Sequence, residues 1–271
     1  MCGYLGGGIF LKGDRKAEMT VNELYGILNE RIPPSLSCPW DNDGLMCCPD
    51  SERQVRKILI TLDVTDKAID YAAEGGFDLI ISHHPFIFKG LKAINDGSHI
   101  ARGAIRLIQN NISVLSFHTR LDALTGGVND TLASLLELSD VRPFGEEGIG
   151  RIGELSENTD LEGLCEKIKE ITGAPFLLAA DGGKAPHSIA ILGGEGGDDI
   201  SAAKQAGADT YISGRLGYHN MVDAHGNGLT LIEGGHFFTE FPVCFTLEKM
   251  LKNIDPALNC EIFYSNNIRF F

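Results

Sequence analysis

Two adjacent histidines, His83 and His84, close an apolar run and are followed by Pro85. Successive strand residues aim at opposite faces, so neighbouring imidazoles at a strand end can each reach a different ion. Alone the pair is weak, because histidine is often partly buried with no metal role. Two further pairs carry the same chemistry at another spacing: His118 with Asp122, and His236 with Glu240. Four residues apart on a helical turn, an imidazole and a carboxylate share one face and lie within reach of one cation. Each spacing by itself is more often a surface coincidence than a ligand pair. Three such groups, each after a buried strand, point together to a site for divalent zinc, iron, manganese, nickel or cobalt. Two ions fit better than one. Adjacent histidines diverge, and a carboxylate such as Glu240 can bridge ions about 3.5–4 Å apart, which lower the pKa of a shared water. His118 reads either as a direct ligand or as a group that orients one.

Arg120 and Arg215 stand near these clusters and could clamp an anion such as a phosphate through the planar guanidinium fork. The plain alternative for Arg120 is a solvated loop residue. The loop Trp40-Asp41-Asn42-Asp43-Gly44 holds the sole tryptophan and reads either as a lid over a cleft or as a turn packed by an aromatic. Gly193-Gly194-Glu195-Gly196-Gly197 has the look of a phosphate-cradling loop. It lacks the G-x-x-x-x-G-K-S/T pattern and carries a central glutamate, which favours a plain tight connection.

Periodicity supplies the elements that must position these groups. Residues 57–64 form a β-rich apolar run, 65–75 a Thr-capped helix, 77–82 a strand, 99–110 a helix and 112–117 a strand. This β-α-β-α-β order predicts a largely parallel sheet covered by helices. The order recurs at 188–192, 198–207, 209–213, 219–225 and 229–232, and the two His/acid pairs are offset by the same 118 residues. An equal offset is what a duplicated unit leaves behind. In open parallel sheets ligands gather beyond the C-terminal strand ends. His83, His84, His118 and Asp122 occupy such ends in one half, and Gly214, Arg215 and His219 face them from the other. The expected fold class is α/β: two related α/β domains, helices packed on mostly parallel or mixed sheets, with the metal site in the cleft between them. Residues 140–158, rich in glycine and acid, read as a connection. The expected division is 19–130 with 226–271 as the first domain and 131–225 as the second.

The 271 residues, 43% hydrophobic and 22% charged, suit a folded chain of about two domains. Lys+Arg 23 against Asp+Glu 37 leaves a formal charge of -14, the wrong sign for coating a phosphate backbone, so nucleic acid is not an expected partner. Seven cysteines without a C-x-x-C pair suggest reduced thiols in a cytoplasm. No run approaches the ~18 apolar residues of a membrane span, so no membrane partner is expected. Helical periodicity opens at Met19, and residues 1–18 are expected to be a leader, an upstream start or a cloning remnant.

The motifs I-S-H-H-P-F-I-F-K-G-L-K at 81–92, F-H-T-R-L-D-A-L-T-G-G-V-N-D-T-L-A at 117–133, G-Y-H-N-M-V-D-A at 217–224 and G-H-F-F-T-E-F-P-V at 235–243 carry a resemblance. With P-P-S-L-S-C-P-W-D-N-D-G-L at 33–45 and L-D-V-T at 62–65, the chain from Met19 onward resembles the NGG-interacting-factor-three-like family, also called type-two GTP cyclohydrolase-like, in its short form. The resemblance implies two related α/β domains, a dinuclear metal site in their cleft and a toroidal homohexamer built from dimers. It carries the ligand role onto His83, His84, Asp122, His236 and Glu240, and places His118 and His219 beside them as catalytic candidates. It also implies a small-molecule substrate. The expected function is a dinuclear metal-dependent hydrolase acting on a nucleotide or related phosphorylated ring. The alternative is a metal-binding regulatory or protein-interaction scaffold without turnover. Four positions depart from the family pattern: Arg120 for a frequent Asn, Arg215 for a common acid, Glu233 for a usual Asp, and Asp43 where an apolar residue often follows Asp-Asn.

Overall fold

The computed structural model describes residues 19–145, 147–157 and 159–269, so the expected leader at 1–18 lies outside the described residues. Helix α1 (Val21–Arg31) opens with a reciprocal cap: the Glu23 amide donates to Thr20 Oγ1 at 3.2 Å and the Thr20 amide to the Glu23 carboxylate at 2.8 Å. There follow β1 (Gly44–Cys47), β2 (Lys57–Thr61), α2 (Asp66–Glu74), β3 (Leu79–Ser82), α3 (His99–Gln109) and β4 (Ser113–Ser116). Thr65 and Ser98 cap α2 and α3 through their hydroxyls. Two short helices, α4 (Thr119–Ala123) and α5 (Val128–Leu135), lead out of this half.

The second half begins with the hairpin β5 (Ser139–Phe144) and β6 (Gly150–Glu154), then α6 (Leu161–Thr172) and β7 (Leu178–Ala180). It continues through β8 (Ser188–Glu195), α7 (Ile200–Gln205), β9 (Thr210–Arg215), α8 (Tyr218–Asn227), β10 (Thr230–Glu233) and α9 (His236–Glu240). The chain ends with α10 (Val243–Ile254) and β11 (Asn259–Phe263), which return to the first sheet.

Both sheets are mixed. The first has the order β1-β4-β3-β2-β11, parallel except for β1; the second has β5-β6-β8-β9-β10-β7, with β8, β9 and β10 parallel. In the first sheet Ile58, Ile60, Ile81 and Leu115 pack against α1 and α10, while Leu59, Ile80 and Val114 pack against α2 and α3. This alternation explains the continuous apolar runs, since a strand covered on both faces needs no polar side. Each such side chain contributes about 1.5–3 kcal/mol by leaving water.

The triplets β2-β3-β4 and β8-β9-β10 share order and direction, each with a short antiparallel strand beside its last member. Their registers pair Ser82 with Ser116 and Ser213 with Glu233. Both helices then start three residues on, at Thr119 and His236, so the histidine caps the helix in the first copy and opens it in the second. Strand β10 lies in the second sheet, whereas a division near residue 225 assigns it to the first domain. Residues 140–158 are not a bare connection, because 139–144 and 150–154 pair as the β5–β6 hairpin. No helix among the described residues is long and apolar enough to cross a membrane.

Candidate metal centre

His83 and His84 leave the end of β3; His118, the residue before α4, and Asp122 on α4 follow β4. The Nδ1 of each of three imidazoles is tied to an acceptor: His83 to the Phe117 carbonyl at 3.0 Å, His84 to Asp63 at 2.8 Å and His118 to Asp41 at 2.8 Å. Such partners set the tautomer and turn Nε2 outward, the usual support for a metal-binding imidazole. Asp63 stands just past β2, and Asp41 is itself held by the Thr119 amide and hydroxyl at 3.1 and 2.6 Å.

From the second half α9 brings His236 and Glu240 to the same place. His83 Nε2 lies 3.6 Å from Asp122 Oδ1 and 3.7 Å from Glu240 Oε1. His84 Nε2 and His236 Nε2 lie 3.0 and 3.1 Å from Glu240 Oε2, and 3.3 Å from each other. Three groups have donor atoms within 4.8 Å of one another: His83, Asp122 and Glu240; His84, His236 and Glu240; His83, His84 and His118. Glu240 belongs to two of them and offers each a different oxygen.

The donors fit divalent cations. His83 Nε2, Asp122 Oδ1 and Glu240 Oε2 are buried without a hydrogen-bond partner of acceptable geometry. An orphaned buried polar atom costs about 1–3 kcal/mol, and a cation among these atoms would satisfy all of them. Electrostatics agree. Burial, helped by the Glu240 charge, lifts the Asp122 carboxyl to about 6 despite His83. Burial pulls the His84 imidazole down, but Asp63 and Glu240 outweigh it and lift the group to about 10. Burial also pushes Glu240 up, yet His236, His83 and His84 hold it well below the usual carboxylate range. Without metal the cluster is thus balanced by protons on imidazoles, which an incoming ion must displace.

Backbone room for this meeting comes from glycine. A side-chain carbon at Gly194, whose φ is +71°, would overlap Glu240 Oε1 and stand 3.2 Å from His236 Nε2. One at Gly214 would stand 2.7 Å from the His236 Cα. The register places Gly214 opposite the repeat position of His83, so one copy keeps the imidazoles and the other is pared to backbone. The glycine-rich segment at 193–197 is accordingly a tight connection against α9.

Other expected site residues stand apart. Arg120 is 1% exposed, donating to Asp43 at 3.0 Å, to Asn29 at 2.8 Å and to the Ile32 carbonyl at 3.1 Å. It is neither an anion clamp nor a solvated loop residue, because it is buried and its Nε and Nη1 groups already donate to these three acceptors. Its ion-pair partner Asp43 is another departure from the family pattern, so two unusual residues compensate each other. Arg215 is exposed and 3.7 Å from Glu195, outside the cavity that adjoins the cluster. His219 is exposed on α8 against Tyr218 and does not line that cavity. Trp40 does line it, packing edge-on to His118 at 6.2 Å between ring centres. The cavity measures about 460 Å³ and includes His84, His118, Asp122, His236 and Glu240. Glu233 accepts from the Leu216 and Gly217 amides at 2.7 and 3.2 Å, fixing the approach to α8.

A pair of mixed α/β sheets with an imidazole–carboxylate cluster at their strand ends defines the class. The Duf34/NIF3 (NGG1p interacting factor 3) family model matches residues 19–269, and the chain belongs to this family. A Clostridium acetobutylicum protein named GTP cyclohydrolase 1 type 2 homolog is 34% identical over 259 residues, 92% of this chain and 96% of its own. Protein NIF3 homolog of Schizosaccharomyces pombe is 34% identical over 236 residues, 81% and 84% of the respective chains. The crystal structure of Staphylococcus aureus protein SA1388 matches with a TM-score of 0.84 at 25% identity, covering 94% of this chain and 100% of that one.

Proposed function

We propose that this chain is a dinuclear metal-dependent hydrolase acting on a nucleotide or a related phosphorylated ring, as a self-associating, cytoplasmic homohexamer. The observation that carries this proposal is the sharing of Glu240, with Oε1 toward His83 and Oε2 toward His84 and His236. His83, Asp122 and Glu240 would hold one ion, and His84, His236 and Glu240 the other. Bound zinc, iron, manganese, nickel or cobalt would polarise a carbonyl or phosphoryl oxygen and acidify water near neutral pH. His118, held by Asp41, presents Nε2 to the same cavity, where it would take or return a proton on a bound group. The cyclohydrolase name of the Clostridium relative makes purine nucleotides the first compounds to try. Arg215, exposed outside the cavity and paired with Glu195, and His219 would each need a neighbouring element to reach a substrate held at the cluster.

A metal-binding protein-interaction scaffold is the second reading. What favours it is a cavity of about 770 Å³ away from the ligands, lined by Leu135, Phe241, Phe245 and Tyr264, three of which are substantially exposed. The test is elemental analysis of reconstituted protein followed by a broad substrate screen, with His84→Ala as control. Two ions per chain and turnover lost in the variant support the hydrolase. Trace metal alone sinks the dinuclear centre, and full loading with no turnover supports the scaffold.

A further inference from the structure

The ladder between β2 and β11 ends at Thr61 and Phe263, and two residues beyond these ends stand Asp63 and Ser265. There a side chain takes over from the backbone. The Asp63 amide donates to Ser265 Oγ at 3.2 Å, and the Ser265 hydroxyl donates to Asp63 Oδ2 at 3.3 Å. The other carboxylate oxygen, Oδ1, accepts from His84 Nδ1 at 2.8 Å. Among the described residues His84 and Ser265 are the two hydrogen-bond partners of this carboxylate. The Asp63 side chain is 42% exposed, so without the hydroxyl little but the imidazole itself would oppose its turning to water.

Ser265 is 4% exposed although it lies past the last strand. Its neighbour Tyr264 seats it, packing edge-on to Phe237 at 4.7 Å and Phe241 at 5.1 Å between ring centres. Those two residues directly follow His236 and Glu240, so the segment after β11 is pinned to α9 and bonded to the acceptor behind His84. The other candidate ion position is built differently: His83 Nδ1 is tied to the Phe117 carbonyl, which the backbone holds without such help. A plain stop to the β2–β11 ladder needs the amide bond alone, whereas the bond to Oδ2 bears on the imidazole.

We propose that Ser265 is a positioning residue: by holding the Asp63 carboxylate it fixes the His84 imidazole for its ion, and for that ion alone. This rests on the dinuclear reading for the ion, while the orientation of His84 can be read in metal-free protein, so the two fail separately.

Long-range 1H–15N spectra of the metal-free chain give the first readout. The His84 Nδ1–H signal, identified by its absence in His84→Ala, is expected to be lost to solvent exchange in Ser265→Ala, while that of His118 stays. Cobalt is then titrated in competition with a chelator. Ser265→Ala should weaken the step that His84→Ala abolishes, on the order of tenfold, the worth of one hydrogen bond to a charged group, and spare the other step. Because Ser265 acts through Asp63, adding Ser265→Ala to Asp63→Asn should cost little more. An unchanged His84 signal, equal weakening of both steps, or additive losses in the double variant overturns the proposal. A chain that takes up fewer than two ions ends the dinuclear reading, and the imidazole signal still decides the role of Ser265.

Discussion

Asp63 does for His84 what the Phe117 carbonyl does for His83: it accepts a hydrogen bond from Nδ1–H and leaves Nε2 to the cleft. Asparagine at this position would keep the shape but lose the charge. Asp63→Asn is therefore expected to weaken the His84 metal position about 10–100-fold while sparing the other, read by competition with a chelator of known affinity. Equal weakening of both positions would show that Asp63 acts on the cluster as a whole. Glu240→Gln should instead weaken both positions together, and His84→Ala chiefly one; equal stoichiometries in these two variants would remove Glu240 from its bridging role. Protons give a further test. The metal-free His84 titrates at about 10 and Asp122 at about 6. At pH 7 loading must displace the His84 proton, and below about 6 the Asp122 proton as well, so affinity rises with pH. The expected slope is about tenfold per unit from pH 7 to 9 and steeper below 6, and a flat profile would mean that the unloaded imidazoles are already neutral. The residues that cluster here were legible in the sequence because three His/acid groups recur, each after an apolar strand, although each spacing alone is common. Asp63 and Asp41 were not, since each meets its histidine only through the fold, across 21 and 77 positions.

At the scale of elements, the parallel core strands were legible because apolar runs bounded by caps admit few alternatives. The hairpin was not: β5 contains Pro143 and exposes every residue except Phe144, which hides the alternation that marks a half-buried strand. Strand β7 is three residues long and β11 is only half-buried, too little signal for either. Arg120 was misplaced for a related reason, because its charge suggested solvent while Asp43 waited 77 positions away. This pair can be tested as a unit. Arg120 and Asp43 side chains are 1% and 6% exposed, so Arg120→Asn strands a buried carboxylate and should cost about 3–5 kcal/mol. Asp43→Leu combined with Arg120→Asn removes both charges and should cost clearly less than the sum of the single changes. Chemical denaturation of the four proteins measures the coupling, and additive losses would mean that each side chain is held by its other partners.

The whole molecule is two related sheets that share one cluster. Either of these two candidate ion groups draws on both halves: His83 and Asp122 with Glu240, and His84 with His236 and Glu240. A bound ion would therefore join the sheets across their strand ends, where the unpartnered donors otherwise oppose one another. A second fastening lies elsewhere, at Arg151 of β6, which donates to Asp130 at 2.9 Å and to the Ala123 carbonyl at 2.8 Å. Because a metal would bind the folded cluster and not a dispersed set of ligands, it would stabilise by mass action, about 4 kcal/mol per site at a thousandfold excess over Kd. For a chain of this size each kcal/mol moves Tm by about 2–4 °C, so stripping one strongly bound ion should lower Tm by roughly 10 °C. Glu240→Gln should begin near the stripped value and respond little to chelator, whereas Arg151→Ala should start lower yet keep the full response to metal. Calorimetry with and without chelator separates these cases. If the native chain melts at the same temperature in both, ions do not join the sheets and Arg151 with the packed core holds them alone.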